Sequence, residues 1–388
     1  MTILYIHNSV PGQFANLIAH RADRVRPRSV FLSAQDNAAF TLVERRLYTP
    51  DALGTPGDRA LEPAARILGH ARAAARALRR LVDDGFRPMA IVAHPAWGSV
   101  LPVRDVLPDV PLVVYCEHYN ESRGAAGALA NWHVRAALDA ADALVTPTEW
   151  QRSIFPADAR PRIETIHDGI DTSRLRPDPL ARFELPDGTT VGRGDQLVTY
   201  VARGLEPTRG FPELIRAVPT ILRGAPDARI AIVGGERAIY GPEPEGGGSH
   251  KAAMLRETGL TDRRVHFLGQ IRYADFVRLM QVSTVHVYPS RRFVLSWSVL
   301  EAMSIGAVVV GADNAPVREV IEDGVTGLLA DPGDAAALAD RIVAVLRDPP
   351  RFAAIGRAAR DMVIARYDVA RCMARWIALL RQVAPGIS

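Results

Sequence analysis

The stretch TVHVYPSRRFVLSWSVLEAMSIGAVVVG, residues 284–311, decides the fold class. It opens with the short apolar run Thr284–Tyr288 and turns through Pro289 and Ser290 into a polar connection. A helical pattern follows over Ser298–Ile305, and the β-branched run Ala307–Gly311 closes it. Strand, helix and second apolar strand read as a βαβ unit, with the two strands parallel because the helix carries the chain back.

The alternation extends both ways. Before it, strands are expected at Ile3–His7, Arg28–Leu32, Met89–Ala93, Pro111–Tyr115, Ala143–Thr146, Ile163–Ile166, Gln196–Ala202, Arg229–Val233 and His266–Leu268. Helices are expected at Gly12–His20, Glu62–Asp84, near Gly98–Val106, and at Asn131–Ala141, Pro212–Arg223 and Tyr273–Gln281. A helix over Ala335–Leu346 and two more follow. This is an α/β chain with parallel sheets. The Pro-, Gly- and Asp-rich stretch Leu175–Gly194 reads as a boundary, giving two α/β domains of similar size at 1–175 and 195–365 and a terminal helical segment at 366–388. In such a pair a ligand is expected between the domains, at the carboxyl ends of the strands. The stretch Gly241–Lys251, GPEPEGGGSHK, is too rich in glycine to pack and reads as a mobile loop, either a lid or a plain solvent loop.

Composition narrows the function. The 388 residues carry 47 Lys plus Arg, of which only Lys251 is lysine, so 46 are arginine. Phosphate contacts must therefore fall to arginine. Lys251 is followed by Ala252, where a P-loop needs Ser or Thr. A net charge of +4 is too small an excess to argue for nucleic acid. Cys116 and Cys372 cannot build a disulfide framework or a four-cysteine metal site. The start of the chain does not read as a secretory signal, and no window approaches the ~18 apolar residues of a membrane span. The reading is of a soluble, cytoplasmic protein. The arginine-rich helix Arg66–Arg80 lacks the bulky apolar face of an interfacial helix, so peripheral membrane contact is not favoured.

Several motifs then fall in one order. Pro289-Ser290, Leu300-Glu301-Ala302-Met303, Gly306, Glu319 and Gly324-Val325-Thr326-Gly327 follow one another, preceded by Val201-Ala202-Arg203 with Arg209-Gly210, Ile232-Val233-Gly234-Gly235 and Val265-His266-Phe267-Leu268-Gly269. Together they resemble the donor-binding half of the retaining glycosyltransferases of family 4. The first half resembles one branch of that family through His7-Asn8-Ser9-Val10-Pro11-Gly12-Gln13-Phe14, Thr146-Pro147-Thr148-Glu149-Trp150-Gln151 and Ile166-His167-Asp168-Gly169-Ile170-Asp171. The resemblance implies the glycosyltransferase-B architecture, with the last helices, near Arg366–Gln382, crossing back to the first domain. It also implies transfer of a sugar from a nucleotide-diphosphate donor to an acceptor hydroxyl with retention. The acceptor, a glycan, a lipid-linked sugar or a natural product, stays open.

The resemblance assigns roles residue by residue. Glu301 would hold the donor ribose, since a carboxylate can accept two bonds from a vicinal diol. Arg203 and Arg209 would face the diphosphate and stabilise the charge growing on the leaving group. Position 209 usually carries lysine in the family. Gly234, Gly269, Gln270 and Ile271 would frame the nucleotide, and the main chain of Val294, Leu295, Ser296 and Trp297 would meet phosphate and sugar oxygens. Gly12 would let the donor approach the following helix. Glu117 or His118, at the end of a first-domain strand, would touch the sugar or act in acid–base chemistry; which of the two is left open. His94, His167 and Lys251 are weaker candidates, for the acceptor, the hinge and phosphate.

Phe293 departs from the pattern, because many members carry a glutamate there, eight positions before Glu301, that contacts the transferred sugar. No His/Cys cluster has metal-ligand spacing, so neither a metal nor a cofactor is expected. A dehydrogenase would need Gly-x-Gly-x-x-Gly after Ile6 or Val233, and neither place has it. A pyridoxal-dependent phosphorylase would need a Schiff-base lysine, for which only Lys251 is available. An epimerase on the same fold and a non-catalytic nucleotide-sugar binder remain as alternatives.

Overall fold

The computed structural model describes residues 2–22, 29–54, 61–244 and 246–386. Arg28 at the head of an expected strand, residues 55–60 and Glu245 of the glycine-rich stretch lie outside them. The chain forms two compact units, Met1–Gly169 with Val369–Ser388, and Ile170–Asp368.

The first unit is built on seven strands: β1 Ile3–Ile6, β2 Val30–Ser33, β3 Glu44–Leu47, β4 Ala90–Ala93, β5 Leu112–Tyr115, β6 Ala143–Thr146 and β7 Ile163–Thr165. All pair in parallel in the order β3-β2-β1-β4-β5-β6-β7. Both faces are buried, which is why the strands read as unbroken apolar runs. Leu4, Ile6, Ile91, Leu112 and Val114 face the helices Glu62–Asp83 and Gly124–Ala140. Their alternates Ile3, Tyr5, Val92, Val113 and Tyr115 face Leu17 and Ile18 of the helix Ala15–Ala22, and Met373, Trp376 and Leu380 of the terminal helix Val369–Val383. Trp376 is 2% exposed and stacks on Tyr115 with ring centroids 6.3 Å apart. Strand β3 has no signal in the sequence. Its residues, Glu-Arg-Arg-Leu, are mostly exposed at the sheet edge, where charge discourages further pairing.

The second unit carries β10 Leu197–Gly204, β11 Arg229–Gly235, β12 Val265–Gly269, β13 Val285–Tyr288, β14 Val308–Ala312 and β15 Leu328–Ala330, all parallel in the order β12-β11-β10-β13-β14-β15. The helices Phe211–Gly224 and Ala335–Arg347 cover one face, and Tyr273–Val282, Trp297–Ile305 and Pro349–Tyr367 the other. In each sheet the order reverses beside its first strand, between β1 and β4 and between β10 and β13. In open α/β sheets such a reversal, at the carboxyl ends of the strands, is where ligands bind.

The break between units falls at Gly169–Ile170, ahead of the stretch that composition marks as a boundary. That stretch instead holds an antiparallel hairpin, β8 Arg182–Glu184 and β9 Thr190–Gly192, turning at Gly188 with φ +81°. Ala181, Leu185 and Val191 bury it against Leu197, Ala231 and Leu279. Turn residues of a packed hairpin and of a linker are the same residues, so composition alone does not separate them.

Replacing Trp376 by alanine should cost about 3–5 kcal/mol through the cavity it leaves beneath Tyr115. Denaturant unfolding of the variant checks this, and an unchanged midpoint would show that the terminal helix adds no packing energy.

Candidate functional site

In the second unit, the loop leaving β10 turns through Pro207–Arg209 and is pinned by Gly210. This glycine has φ +72°, and a side chain on it would start 1.9 Å from the carbonyl oxygen of Pro289. The close approach lays Arg209 against the loop that follows β13. Its Nη1 donates to the Val294 carbonyl at 2.9 Å, Ser290 Oγ at 3.3 Å and Tyr288 Oη at 3.4 Å. The guanidinium also lies 5.1 Å from the ring centroids of both Tyr240 and Phe293. Arg209 is 8% exposed, and no carboxylate pairs with it among the described residues. A buried charge without a counter-ion is expensive. Arg203, exposed at the end of β10, donates to Tyr240 Oη at 3.3 Å, so one tyrosine links the two arginines.

Glu301 lies in the helix Trp297–Ile305, capped by Ser296, whose Oγ accepts from the Ser298 amide. It is 7% exposed, and Tyr273 Oη donates to its Oε1 at 2.8 Å. Burial raises its pKa to about 7, and the Tyr273 bond restores only part of the lost solvation. Of the loop amides, that of Ser296 already donates to Tyr288 Oη at 2.8 Å, the hydroxyl that Arg209 also reaches. The loop and the arginine are thus tied at one point.

At the edge of this sheet Val233 pairs with Gly269. Gly234 has room for no side chain, since one would start 2.7 Å from Leu205 Cδ2, while Gly269 (φ +63°) and Gln270 are exposed and Ile271 is half-buried. Lys251 does not join the arginines. Its Nζ donates to Glu236 Oε1 at 2.8 Å and lies 4.7 Å from the Phe267 ring centroid. The helix His250–Thr258, capped by Ser249, begins one residue earlier, so the glycine-rich stretch ends in ordered structure. An open groove of this unit lined by Asp187, Asp195, Asp227, Arg229 and Arg264 lies at the amino ends of the strands, away from these residues.

In the first unit, two separated motifs converge on Glu117. Gln13 Nε2 donates to Glu117 Oε1 at 2.6 Å, from the turn Gly12–Phe14 that follows β1. Gln151 Nε2 donates to the Glu117 carbonyl at 2.6 Å, from the helix Glu149–Ser153 capped by Thr148. His94, 2% exposed, lies with Nε2 3.1 Å from Glu117 Oε2, and its Nδ1 accepts from the Ala96 amide, so the proton sits on Nε2 and is donated to the carboxylate. Burial alone would raise the Glu117 carboxyl, but the bonds from His94 and Gln13 and the nearby histidines outweigh it and hold the pKa at about 2. His7 lies against His94 and Trp97 at centroid distances of 5.1 and 4.8 Å. Burial first, then His94, lower its pKa to about 3, so it is neutral at pH 7.

Gly12 (φ +54°) faces the His7 ring, 2.7 Å from where a Cβ would start. His118 is exposed one residue beyond Glu117. His167 is buried and accepts from the Gly169 amide. The structure thus groups Gly12, Glu117 and His94 in one unit. In the other it groups Arg203, Arg209 and the loop after β13. Sequence reasoning passes over His7, Gln13, Gln151, Tyr240, Tyr273 and Tyr288. The first three lie inside quoted motifs, whereas Tyr240 and Tyr273 carry no periodic or motif signal. Among the described residues no group of three His, Cys, Asp or Glu could hold a metal ion, and no helix is long and apolar enough to cross a membrane.

With its pKa raised from 4.5 to about 7, Glu301 keeps a proton in the folded state that the unfolded chain releases between those values. That stability is present below pH 4.5 and is lost as pH rises through 7, by about 3 kcal/mol in all. Glu301→Gln should therefore melt higher than the parent above pH 7 and nearly with it at pH 4.5. Parallel melting curves across this range would refute the assignment.

The model for group 1 glycosyl transferases matches residues 195–348, and that for the glycosyl transferase family 4 group matches residues 26–128 and 122–175. A GDP-mannose-dependent alpha-(1-6)-phosphatidylinositol monomannoside mannosyltransferase of Mycolicibacterium smegmatis is 30% identical over 237 residues, 59% of each chain. A phosphatidyl-myo-inositol mannosyltransferase of Mycobacterium tuberculosis is 33% identical over 227 residues, 56% of this chain and 53% of its own. The chain thus spans less than two thirds of the length of these relatives. The crystal structure of Anabaena HepE with UDP and glucose superposes with a TM-score of 0.73 at 20% identity, covering 98% of this chain and 100% of that one. Sucrose-phosphate synthase from Thermosynechococcus elongatus gives 0.72 at 17% identity, covering 98% of both chains. The two Rossmann-like units have the glycosyltransferase-B fold, and with family models matching in both of them the chain belongs to the family 4 glycosyltransferases.

Proposed function

We propose that the protein moves a sugar from a nucleotide-diphosphate donor to an acceptor hydroxyl with retention of configuration and without a metal ion. The observation that carries this is Arg209, a buried guanidinium that no carboxylate neutralises among the described residues, at the carboxyl end of a doubly wound sheet. Such a cation gains most when an anion enters, and Arg203 beside it gives the pair the reach of a diphosphate. The relatives fit the class, since one is named for GDP-mannose and a solved neighbour holds UDP.

In this reading Arg203 and Arg209 stabilise charge as the phosphate leaves. Glu301 accepts the ribose hydroxyls, exchanging the single Tyr273 bond for a diol. Gly234 and Gly269 to Ile271 frame the base, and the main chain of 294–297 borders the phosphates and the sugar. Glu117, held ionised by His94 and Gln13, accepts a hydroxyl of the sugar or of the acceptor, with His118 beside it. Gly12 lets the turn close on the His7 ring and so seats Gln13 on Glu117. The acceptor class is a glycan, a lipid-linked sugar or a small molecule. The departure at Phe293 favours one second reading, a binder that has lost transfer.

A thermal-shift panel of UDP-, GDP-, ADP-, CMP- and dTDP-sugars tests the donor. A ligand at 100 times its Kd should add about 2.7 kcal/mol to stability. One base should shift the melting temperature, and Glu301→Ala and Arg209→Ala should abolish the shift. No shift with any nucleotide would overturn the proposal. Once an acceptor is found, Glu117→Gln should leave nucleotide binding intact and cut kcat about 10- to 100-fold, the worth of a charge-assisted bond. The anomeric configuration of the product, read by NMR, checks retention. Binding without transfer to any acceptor would favour the second reading.

A further inference from the structure

Position 293 is where the family resemblance leads one to expect a carboxylate, and the structure shows what stands there instead. The Phe293 ring meets the Tyr240 ring at a centroid distance of 5.0 Å and 52°, and the Arg209 guanidinium lies 5.1 Å from both centroids, in the notch between them. Tyr240 is held in place from behind. Its amide and that of Ile239 donate to Glu206 Oε2 at 2.9 and 2.8 Å, and Glu206 is fully buried. Gly204 lets this arm come close, because a Cβ there would start 2.6 Å from the Arg237 carbonyl oxygen. Tyr240 is therefore placed by main-chain anchors on the same sheet end that carries Arg203.

We propose that Phe293 and Tyr240 are positioning residues that hold Arg209 oriented for a diphosphate without neutralising it. The proposal rests on the reading that Arg209 binds the donor phosphates. A carboxylate at this distance would hold the guanidinium firmly, but it would also compete with the incoming phosphate as a full negative charge. An aromatic face attracts the cation through its quadrupole and carries no net charge, so the field that Arg209 projects towards a ligand survives. The Nη1 bonds to Val294, Ser290 and Tyr288 fix the guanidinium at one nitrogen, and the two rings flank it together from one side. Position 293 thus serves the phosphate cation in this chain, where the resemblance leads one to expect a contact with the transferred sugar.

Isothermal titration of the full chain with UDP and with GDP tests this. Phe293→Leu keeps apolar bulk but removes the π face, and should weaken whichever diphosphate binds by about two- to thirty-fold. Phe293→Tyr and Phe293→Trp should stay within about two-fold of the parent, because they keep the face. Tyr240→Leu and Tyr240→Phe form an independent pair, with the leucine variant the weaker binder. Leucine at both positions binding like the parent would overturn the proposal, as would aromatic replacements at 293 failing as badly as leucine. Arg209→Ala serves as the control. If it binds as the parent does, or if neither UDP nor GDP nor any other nucleotide of the thermal-shift panel binds the parent, the donor-phosphate reading itself has failed. If it loses binding while the leucine variants do not, only the positioning role falls.

Discussion

The second unit is organised around a buried cation, Arg209, that no carboxylate neutralises among the described residues. Arg209 has left water almost completely, yet it meets a carbonyl, two hydroxyls and two aromatic faces in place of a carboxylate. Several otherwise odd details serve that arrangement. Gly210 has to be glycine for the loop to lie on Pro289, Tyr288 ties the arginine to the amide of Ser296, and buried Glu206 spends its carboxylate on two backbone amides and not on the arginine. Partial charges and quadrupoles hold the guanidinium, and its net charge stays available.

The first unit solves the opposite problem. Glu117 keeps about a quarter of its side chain in contact with solvent and remains ionised because His94 and Gln13 donate to its two oxygens. His7, packed beside His94, stays neutral because burial disfavours its charged form. Each unit thus presents charge of one sign at the carboxyl end of its own sheet, Glu117 in the first and Arg203 with Arg209 in the second, placed before any ligand arrives. Glu301 is the exception. Its carboxyl sits near neutrality, with a tyrosine standing where a hydroxyl donor can bind.

Much of this was legible in the sequence. The strands and most helices follow from alternation and from the 3.6-residue period, which act over a few residues. Arg203, Arg209 and Gly12 stand out only through the family resemblance, and Glu117 through its place at the end of a strand. The choice between Glu117 and His118 was not legible. It depends on which side chain meets Gln13 and His94, which lie 104 and 23 positions away. The boundary between units was misplaced because a Pro- and Gly-rich stretch looks the same in a linker as in the hairpin that Leu185 and Val191 bury. Strand β3 escaped notice because an edge strand has no need of apolar residues.

The sequence by itself determined the fold class, the family and the residue types at both strand ends, because those are local patterns written in one stretch of chain at a time. Only the tertiary structure decided what those residues experience. The ionisation of Glu117 and Glu301, the pairing of Arg209 with aromatic faces and the meaning of Phe293 depend on burial and on partners from distant segments. Solvation and Coulomb energies follow distance in space, which the order of residues along the chain does not record.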